Sequence, residues 1–391
     1  MIYLDNAATT RPAPEVVEAM IPYLREQYGN PSAIYSLGSS AKKAVNQAKR
    51  AIAGLINGKP EEIYFTSGGT ESDNWALKSV AEIYSSKGRH IITTKIEHHA
   101  ILHTCEYLEQ KGFQVTYLDV DENGLVDPEE VEKSIRPDTI LISVMFANNE
   151  IGTIEPVAEI GAIAKKHRVL FHTDAVQAFG QIPIDVDSMH IDLLSASAHK
   201  CNGPKGVGFL YIRSGITVPS FLHGGAQERR HRAGTENVPA IAGFHAAVLL
   251  AKERMDEKSR QETALRDHLI QRIEEEIPYC KLNGHRELRL PGNVNFTFRF
   301  VESESVVLLL DREGVCASGG SACTTGETDP SHVLMAIGCS EEEAKGSLRL
   351  SLSEDNTMEE MVVTVQKLKS VLEKLRSTSR EYEIFCRKNG R

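Results

Sequence analysis

The sequence predicts an α/β fold with a mainly parallel sheet flanked by helices, followed by a smaller C-terminal α/β domain. Three observations predict it. Short apolar stretches alternate with amphipathic helical stretches over the first half of the chain. Several of those stretches are apolar at nearly every position, as strands covered on both faces should be. A long helical region at 240–277 then breaks the rhythm, and a second, shorter set of strands and helices follows it.

Taken in order, residues 2–5 read as an opening strand. Val17, Met20, Ile21 and Leu24 recur at helical spacing over 15–28, and Gly29, Asn30 and Pro31 stop that run. Ala41, Ala44, Val45, Ala48, Ile52 and Leu55 mark a second amphipathic helix. Strands are expected at 63–66, 91–94, 115–120, 140–147, 169–173, 193–197 and 207–212, with a helix over 73–85. Beyond the long helix come a strand at 293–300, a helix at 303–312, a glycine-rich loop at 319–329, a strand at 348–353 and a helix at 357–377. Lys367, Lys369, Lys374 and Arg376 read as the wet face of that last helix.

A chain of 391 residues is long enough for two cores, and 41% hydrophobic with 25% charged residues is ordinary for a soluble globular protein. The formal net charge of −10 provides no basic field for nucleic acid or anionic lipid. No basic, then apolar leader precedes the opening strand, and no apolar run is long enough to span a bilayer. Seven cysteines without close pairing do not form a disulfide framework. The expectation is a cytoplasmic protein with reduced thiols, no membrane contact and no direct nucleic-acid partner.

Lys200 ends the apolar run Ser195-Ala-Ser-Ala-His-Lys200, with Ser197 and His199 before it and a glycine-rich turn after it. A lysine leaving a buried strand suits a Schiff base with an aldehyde cofactor, although many such lysines only reach solvent. Ser67-Gly-Gly-Thr-Glu-Ser72 follows a strand and opens a helix. Its amides suit a phosphate, or Ser67 or Thr70 serves the helix as an N-cap. Asp174 ends a strand, where it suits a protonated ring nitrogen or an N-cap, and Gln177 lies three residues on. Asn148 and Asn149 end another strand in the same way. Glu97-His98-His99 lacks metal-binding spacing, so His98 reads as a ring stacked on a planar ligand or as a proton shuttle, and no metal is expected. Cys105, Cys280 and Cys339 read as small packed hydrophobes. Cys323 differs: Gly319 to Pro330 is small and hydrophilic, a composition expected of a movable loop that exposes a nucleophile. Cys316, on an expected strand, is the inert comparison.

Ten motifs occur in one order: Asp5-Asn-Ala-Ala-Thr-Thr10, Gly29-Asn-Pro-Ser32, Thr66-Ser-Gly-Gly-Thr-Glu-Ser72, Asn148-Asn-Glu-Ile-Gly152, Asp174-Ala-Val-Gln177, His199-Lys200, Gly203-Pro-Lys-Gly206, His223-Gly-Gly225, Ala233-Gly-Thr-Glu236 and Ser321-Ala-Cys-Thr324. The set resembles the pyridoxal-phosphate cysteine desulfurases of the NifS/IscS type, within the class V aminotransferase group, from Ile2 to about Leu375.

The resemblance implies PLP-dependent fold type I, with 15–255 as the large cofactor-binding domain and 1–14 with 256–391 as the small domain. It implies that Lys200 holds pyridoxal 5'-phosphate, Asp174 pairs with the pyridine nitrogen and His98 stacks on the ring. Gln177 and Asn149 would reach the ring oxygen and the substrate. Gly69, Thr70, Ser197 and His199 would form the phosphate site, completed by Thr235 from the partner subunit of a homodimer. Arg349 would grip the carboxylate of L-cysteine. Lys200 would move the Cα proton with His98 assisting, and Cys323 would become a persulfide, releasing L-alanine. A sulfur-acceptor protein is implied, either an iron–sulfur scaffold or a thiolation carrier. Selenocysteine cleavage or another class V reaction is the alternative, and a colourless, non-catalytic scaffold is the alternative of a different kind. Tyr35 and Gly69 stand where relatives often have histidine and some have alanine; neither change removes a chemical role. The segment 380–391, with Cys386, has no role assigned by the resemblance.

Overall fold

The computed structural model describes residues 1–319 and 330–389. β1 (Ile2–Tyr3) opens the chain, followed by β2 (Ile63–Thr66), β3 (His90–Thr94), β4 (Gln114–Leu118), β5 (Thr139–Ser143), β6 (Leu170–Asp174), β7 (Leu193–Ser197) and β8 (Gly208–Ile212). Among the described residues, β2 to β8 form one seven-stranded sheet in the order β2-β8-β7-β6-β5-β3-β4. The pairs among β3, β4, β5, β6 and β7 are parallel, whereas β8 runs antiparallel to both β2 and β7. The carboxyl ends of β2, β3, β5, β6 and β7 therefore open on the same edge, which is where an open α/β sheet binds ligands.

The helices of this part are α1 (Pro14–Arg25), α2 (Ser36–Leu55), α3 (Gly69–Tyr84), α4 (His99–Glu109), α5 (Pro128–Ser134), α6 (Val157–His167) and α7 (Val238–Glu276). They explain why the strands are apolar on both faces. Ile92, Ile142, Leu194, Phe209 and Tyr211 face a core shared with α2, α6 and the start of α7. Their neighbours Ile91, Leu141, Leu193, Leu210 and Ile212 face the opposite core, built with Trp75, Leu77 and Val80 of α3 and Ile101 and Leu108 of α4. Alternate residues of one strand thus fill two cores.

α7 has 39 residues, about 58 Å at the ordinary helical rise. Val238, Ile241, Phe244 and Val248 pack on the large sheet's core. Leu265, Leu269, Ile270 and Ile273 pack on another core, formed with β9 (Cys280–Leu282), β10 (Asn293–Phe298), α8 (Ser303–Arg312), β11 (Val315–Cys316) and β13 (Ser347–Ser351); β12 (Ser318–Gly319) borders β13. The antiparallel order is β12-β13-β10-β9, while β11 pairs in parallel with β1. Ile2 and Leu4 bury themselves in this second core, so the chain start belongs to it physically. α9 (His332–Ala336), α10 (Glu341–Lys345), α11 (Met358–Ser377) and α12 (Arg380–Lys388) complete the described chain.

Several expected boundaries move. The helix expected from residue 73 begins at Gly69, and the strand expected over 140–147 ends at Ser143 because the chain there turns toward Asn148 and Asn149. Residue 169 precedes β6, and the opening strand ends at Tyr3. The segment after 380 forms α12, where Tyr382 and Phe385 pack against Tyr279 and Phe300.

Candidate active site

A solvent-open cleft of about 1000 Å³ lies at the carboxyl edge of the large sheet. Gly69, Thr70, His98, Asn149, Asp174, Gln177, Ser197, His199, Lys200 and Arg349 all line it. Thr235 is exposed and does not line this cleft, and Cys323 lies outside the described residues.

At the end of β7 the chain turns through a short 3-10 helix, Ala198–Lys200. Lys200 Nζ donates to the carbonyls of Ala7 (2.5 Å) and Ala8 (2.9 Å), and Gln177 Nε2 donates to the same Ala7 carbonyl at 3.0 Å. The segment after β1 thus forms one wall of the cleft through its backbone. Asp174 ends β6 opposite Ser195 of β7 and is buried. Its Oδ1 accepts from Val176 N at 2.9 Å, so it organises a turn and does not cap a helix. Burial raises its pKa, and the Val176 amide and Lys200 oppose that rise.

β2 leads into α3, whose N-cap residue, Gly68, makes no side-chain capping bond. The first-turn amides therefore have no partner within the helix, and the positive end of its dipole favours an anion. Ser67 N is taken instead by Glu71 Oε2, at 2.8 Å, and Thr70 lies in the first turn. The cup is closely built. An ideal Cβ at Gly208 would come 2.5 Å from Ala196 O and 2.8 Å from Gly68 Cα. A Cβ at Gly69 would come 2.5 Å from Val176 Cγ2. His199 Nδ1 lies 3.2 Å from Thr9 Oγ1; burial, then Lys200 and Lys205, push its pKa down to about 4, leaving a neutral ring beside the cup.

His98 is the N-cap of α4, its Nδ1 accepting from Ala100 N at 3.1 Å. A neutral His98 therefore carries its proton on Nε2. Burial and the nearby Lys200 charge push its pKa down to about 4, which keeps it neutral near pH 7. His99 lies against His103 and His332, with ring centroids 5.0 and 4.7 Å away. Among the described residues no group of His, Cys, Asp and Glu is placed to hold a metal ion.

Arg349 reaches the cleft from β13 of the other sheet and is buried. Its Nη1 donates to Asn149 O and its Nη2 to Asp5 Oδ1, both at 3.0 Å. Its Nε is buried without a hydrogen-bond partner among the described residues. Ser318, just before the segment that holds Cys323, donates to the same Asp5 Oδ1 at 2.7 Å. Just beyond that segment, Ser331 Oγ donates to Glu150 Oε2 at 2.5 Å and His332 Nε2 lies 2.9 Å from Glu97 O. Both described flanks of the segment are thus tied to the rim of the cleft.

Residues 2–363 match the aminotransferase class V family model. The chain belongs to this family. Among class V relatives, a curated "Cysteine desulfurase IscS" of Methanosarcina thermophila is 54% identical over 378 residues, 97% of this chain and 93% of the relative. A solved "NIFS-like protein" superposes with a TM-score of 0.90 at 40% identity, covering 95% of this chain and 99% of that one. A structure described as SspA in complex with cysteine superposes with a TM-score of 0.81 at 38% identity, covering 91% of this chain and 100% of that one. The class V fold expected from the motifs is the fold observed, an α/β protein with a mainly parallel central sheet.

Asp73, Met145, Ala147 and Val176 line the cleft without having been singled out, as do Ala7 and Ala8. The Ala7 and Ala8 carbonyls carry no side-chain signal. Asp73 is an acid on the buried face of an amphipathic helix, which is the one signal that could have found it.

Proposed function

We infer that this chain is a pyridoxal-phosphate-dependent cysteine desulfurase, which converts L-cysteine to L-alanine and carries the sulfur as a persulfide on Cys323. The observation that carries the reading is the meeting in one cleft of Lys200, the buried Asp174, the uncapped start of α3 and Arg349. These residues fit the cofactor. The α3 amides with Thr70, Ser197 and His199 suit its phosphate, Asp174 its protonated ring nitrogen and His98 a ring face. Held at Lys200, the cofactor supplies a sink for the electrons freed at the substrate Cα.

The chain supplies positioning and proton transfer. Arg349, fixed by Asp5 and by Asn149 O, holds the substrate carboxylate. Asn149 and Gln177, which line the same cleft, would meet the ring oxygen and the substrate. Lys200 Nζ takes the Cα proton, and the carbonyls of Ala7 and Ala8 are at hand to stabilise the resulting ammonium. Neutral His98, with Nε2–H, can pass a proton within the site. The Cys323 thiolate attacks the substrate sulfur: the new S–S bond forms as the Cβ–S bond breaks, and Cβ takes up a proton. L-Cysteine and one thiol become L-alanine and one persulfide, so no outside oxidant is needed. The anchoring of Ser318, Ser331 and His332 at the cleft rim supports this role for Cys323.

The delivered sulfur goes to an acceptor protein, an iron–sulfur scaffold or a thiolation carrier; the IscS name of the curated relatives favours the former. We place this work in the cytoplasm; among the described residues no helix is long and apolar enough to cross a membrane. The seven-stranded sheet with its two cores, and the four-stranded sheet with a core of its own, support our division into 15–255 and 1–14 with 256–391. The exposure of Thr235 supports a homodimer in which it completes the partner's phosphate site. Dilution to a monomer should then release cofactor, and a fully active monomer would contradict the dimer.

The test of the activity is stoichiometry: L-cysteine with a reductant should yield alanine and sulfide in equal amounts. Lys200→Ala should abolish both while still binding some cofactor non-covalently. Alanine release near the parent rate in this variant would overturn the assignment of Lys200.

A further inference from the structure

Asp174 does not stand alone beneath the cleft. Asp73, on the inner face of α3, lines the same cleft and is 1% exposed. Glu97, at the end of the turn after β3, is 0% exposed. Asp73 Oδ1 and Glu97 Oε2 are buried without a hydrogen-bond partner among the described residues. Glu97 Oε1 has its own partners, Thr94 Oγ1 at 3.0 Å and Met145 N at 2.8 Å. Asp73 has less support, the Ser195 hydroxyl alone.

His172 Nε2 of β6 lies 3.8 Å from Asp73 Oδ1. That ring is already engaged on both sides by neutral hydroxyls. Its Nδ1 lies 2.9 Å from Ser143 Oγ and its Nε2 lies 3.0 Å from Ser195 Oγ. Burial pushes the His172 pKa down to about 3, so the ring is neutral and offers Asp73 no positive charge. Of the two cations that line the cleft, Lys200 acts on Asp174 and Arg349 is paired with Asp5. With no cation left for Asp73, the two buried carboxylates cannot both ionise at ordinary cost.

We propose that Asp73 is a positioning residue held as a neutral carboxylic acid, so that the single negative charge available to the pair rests on Asp174. The acid on α3 thereby sets the charge of the acid on β6, and it does so without touching substrate. Burial first, and the Asp174 charge second, raise the Asp73 pKa well above the ordinary carboxyl value, while the Ser195 hydroxyl gives it partial relief. Glu97 adds a smaller repulsion in the same direction. The proposal rests on the reading of Asp174 as the partner of the ring nitrogen.

The experiment is infrared absorption of the full-length holoenzyme at neutral pH, in water and in deuterated water. The parent should show a deuterium-sensitive carboxylic-acid C=O band that is missing from Asp73→Asn, with bands from other neutral carboxyls cancelling in the difference. Carboxyl-labelled aspartate in the parent should move that band, which needs no variant to fold. Because no charge is removed, Asp73→Asn should keep the pH midpoint of the cofactor's visible band within about half a unit of the parent. No lost or label-sensitive acid band, or a midpoint moved by more than about one unit, would overturn the proposal. Asp174→Asn reports separately on the underlying reading. Loss of bound cofactor supports that reading and undiminished binding overturns it, while the infrared band decides on Asp73 by itself.

Discussion

Arg349 Nη2 lies 3.0 Å from Asp5 Oδ1, which ties β13 of the smaller sheet to the segment that follows β1. Asp5 in turn accepts from Ser318, and Ser351 N donates to Leu4 O at 2.8 Å, so the opening residues are woven into the sheet that carries the arginine. The guanidinium is thereby oriented before any substrate arrives, with Nε left over in a buried position. Such preorganisation is what a carboxylate-binding arginine needs.

Asp5→Asn keeps the shape but weakens the charge-assisted bond. We expect KM for L-cysteine to rise roughly tenfold with kcat little changed, read from steady-state alanine formation. Arg349→Lys should lose more, because a lysine cannot bridge Asp5 and Asn149 O while also meeting a carboxylate in the plane of the guanidinium. An unchanged KM in Asp5→Asn would detach Asp5 from substrate binding.

Gly69 tests the cup. A Cβ there meets Val176 Cγ2 at 2.5 Å, and valine has little rotamer freedom with which to retreat. Gly69→Ala should weaken cofactor binding by on the order of tenfold, and adding Val176→Ala should restore most of it. The check is cofactor affinity in a double-mutant cycle; strictly additive losses would show that the two residues do not compete for the same space.

Glu155 predicts a pH signature in stability. It is buried, accepts from Val126 N at 3.0 Å, and burial followed by the Asp121 charge pushes its pKa up to about 8. A carboxyl raised in the fold favours the native state only below its unfolded pKa, and that contribution is lost as pH climbs toward 8. Glu155→Gln lacks this loss. The Tm of the variant relative to the parent should therefore increase from about pH 5 to about pH 8 in thermal melts. A constant difference across that range would contradict the buried, protonated state.

Much of this site was legible because the chemistry sits at strand ends. Asp174 and Lys200 each close, or closely follow, an apolar strand, and parallel strands bring such ends to one edge. The direction of β8 was not legible: an apolar run reads the same in either direction, and only pairing with β2 and β7 reveals the reversal. The start of α3 was misplaced because Gly69 and Thr70 are weak helix formers, and tertiary context overrides that preference. His98 as an N-cap went unforeseen because histidine is not among the favoured capping residues. The Ala7 and Ala8 carbonyls that hold Lys200 are backbone, and nothing in their side chains announces them.

The most direct test of the central claim is a single turnover with L-cysteine, without acceptor or reductant, followed by mass analysis of each cysteine-bearing peptide. The peptide of Cys323 should gain the mass of one sulfur atom as one equivalent of alanine appears, and Cys323→Ser should lose both signals while keeping its bound cofactor. Cys316, half-buried on β11 with a thiol pKa raised chiefly by burial, should stay unmodified, and Cys316→Ser should behave as the parent. Sulfur on Cys316, or full alanine yield from Cys323→Ser, would contradict the account.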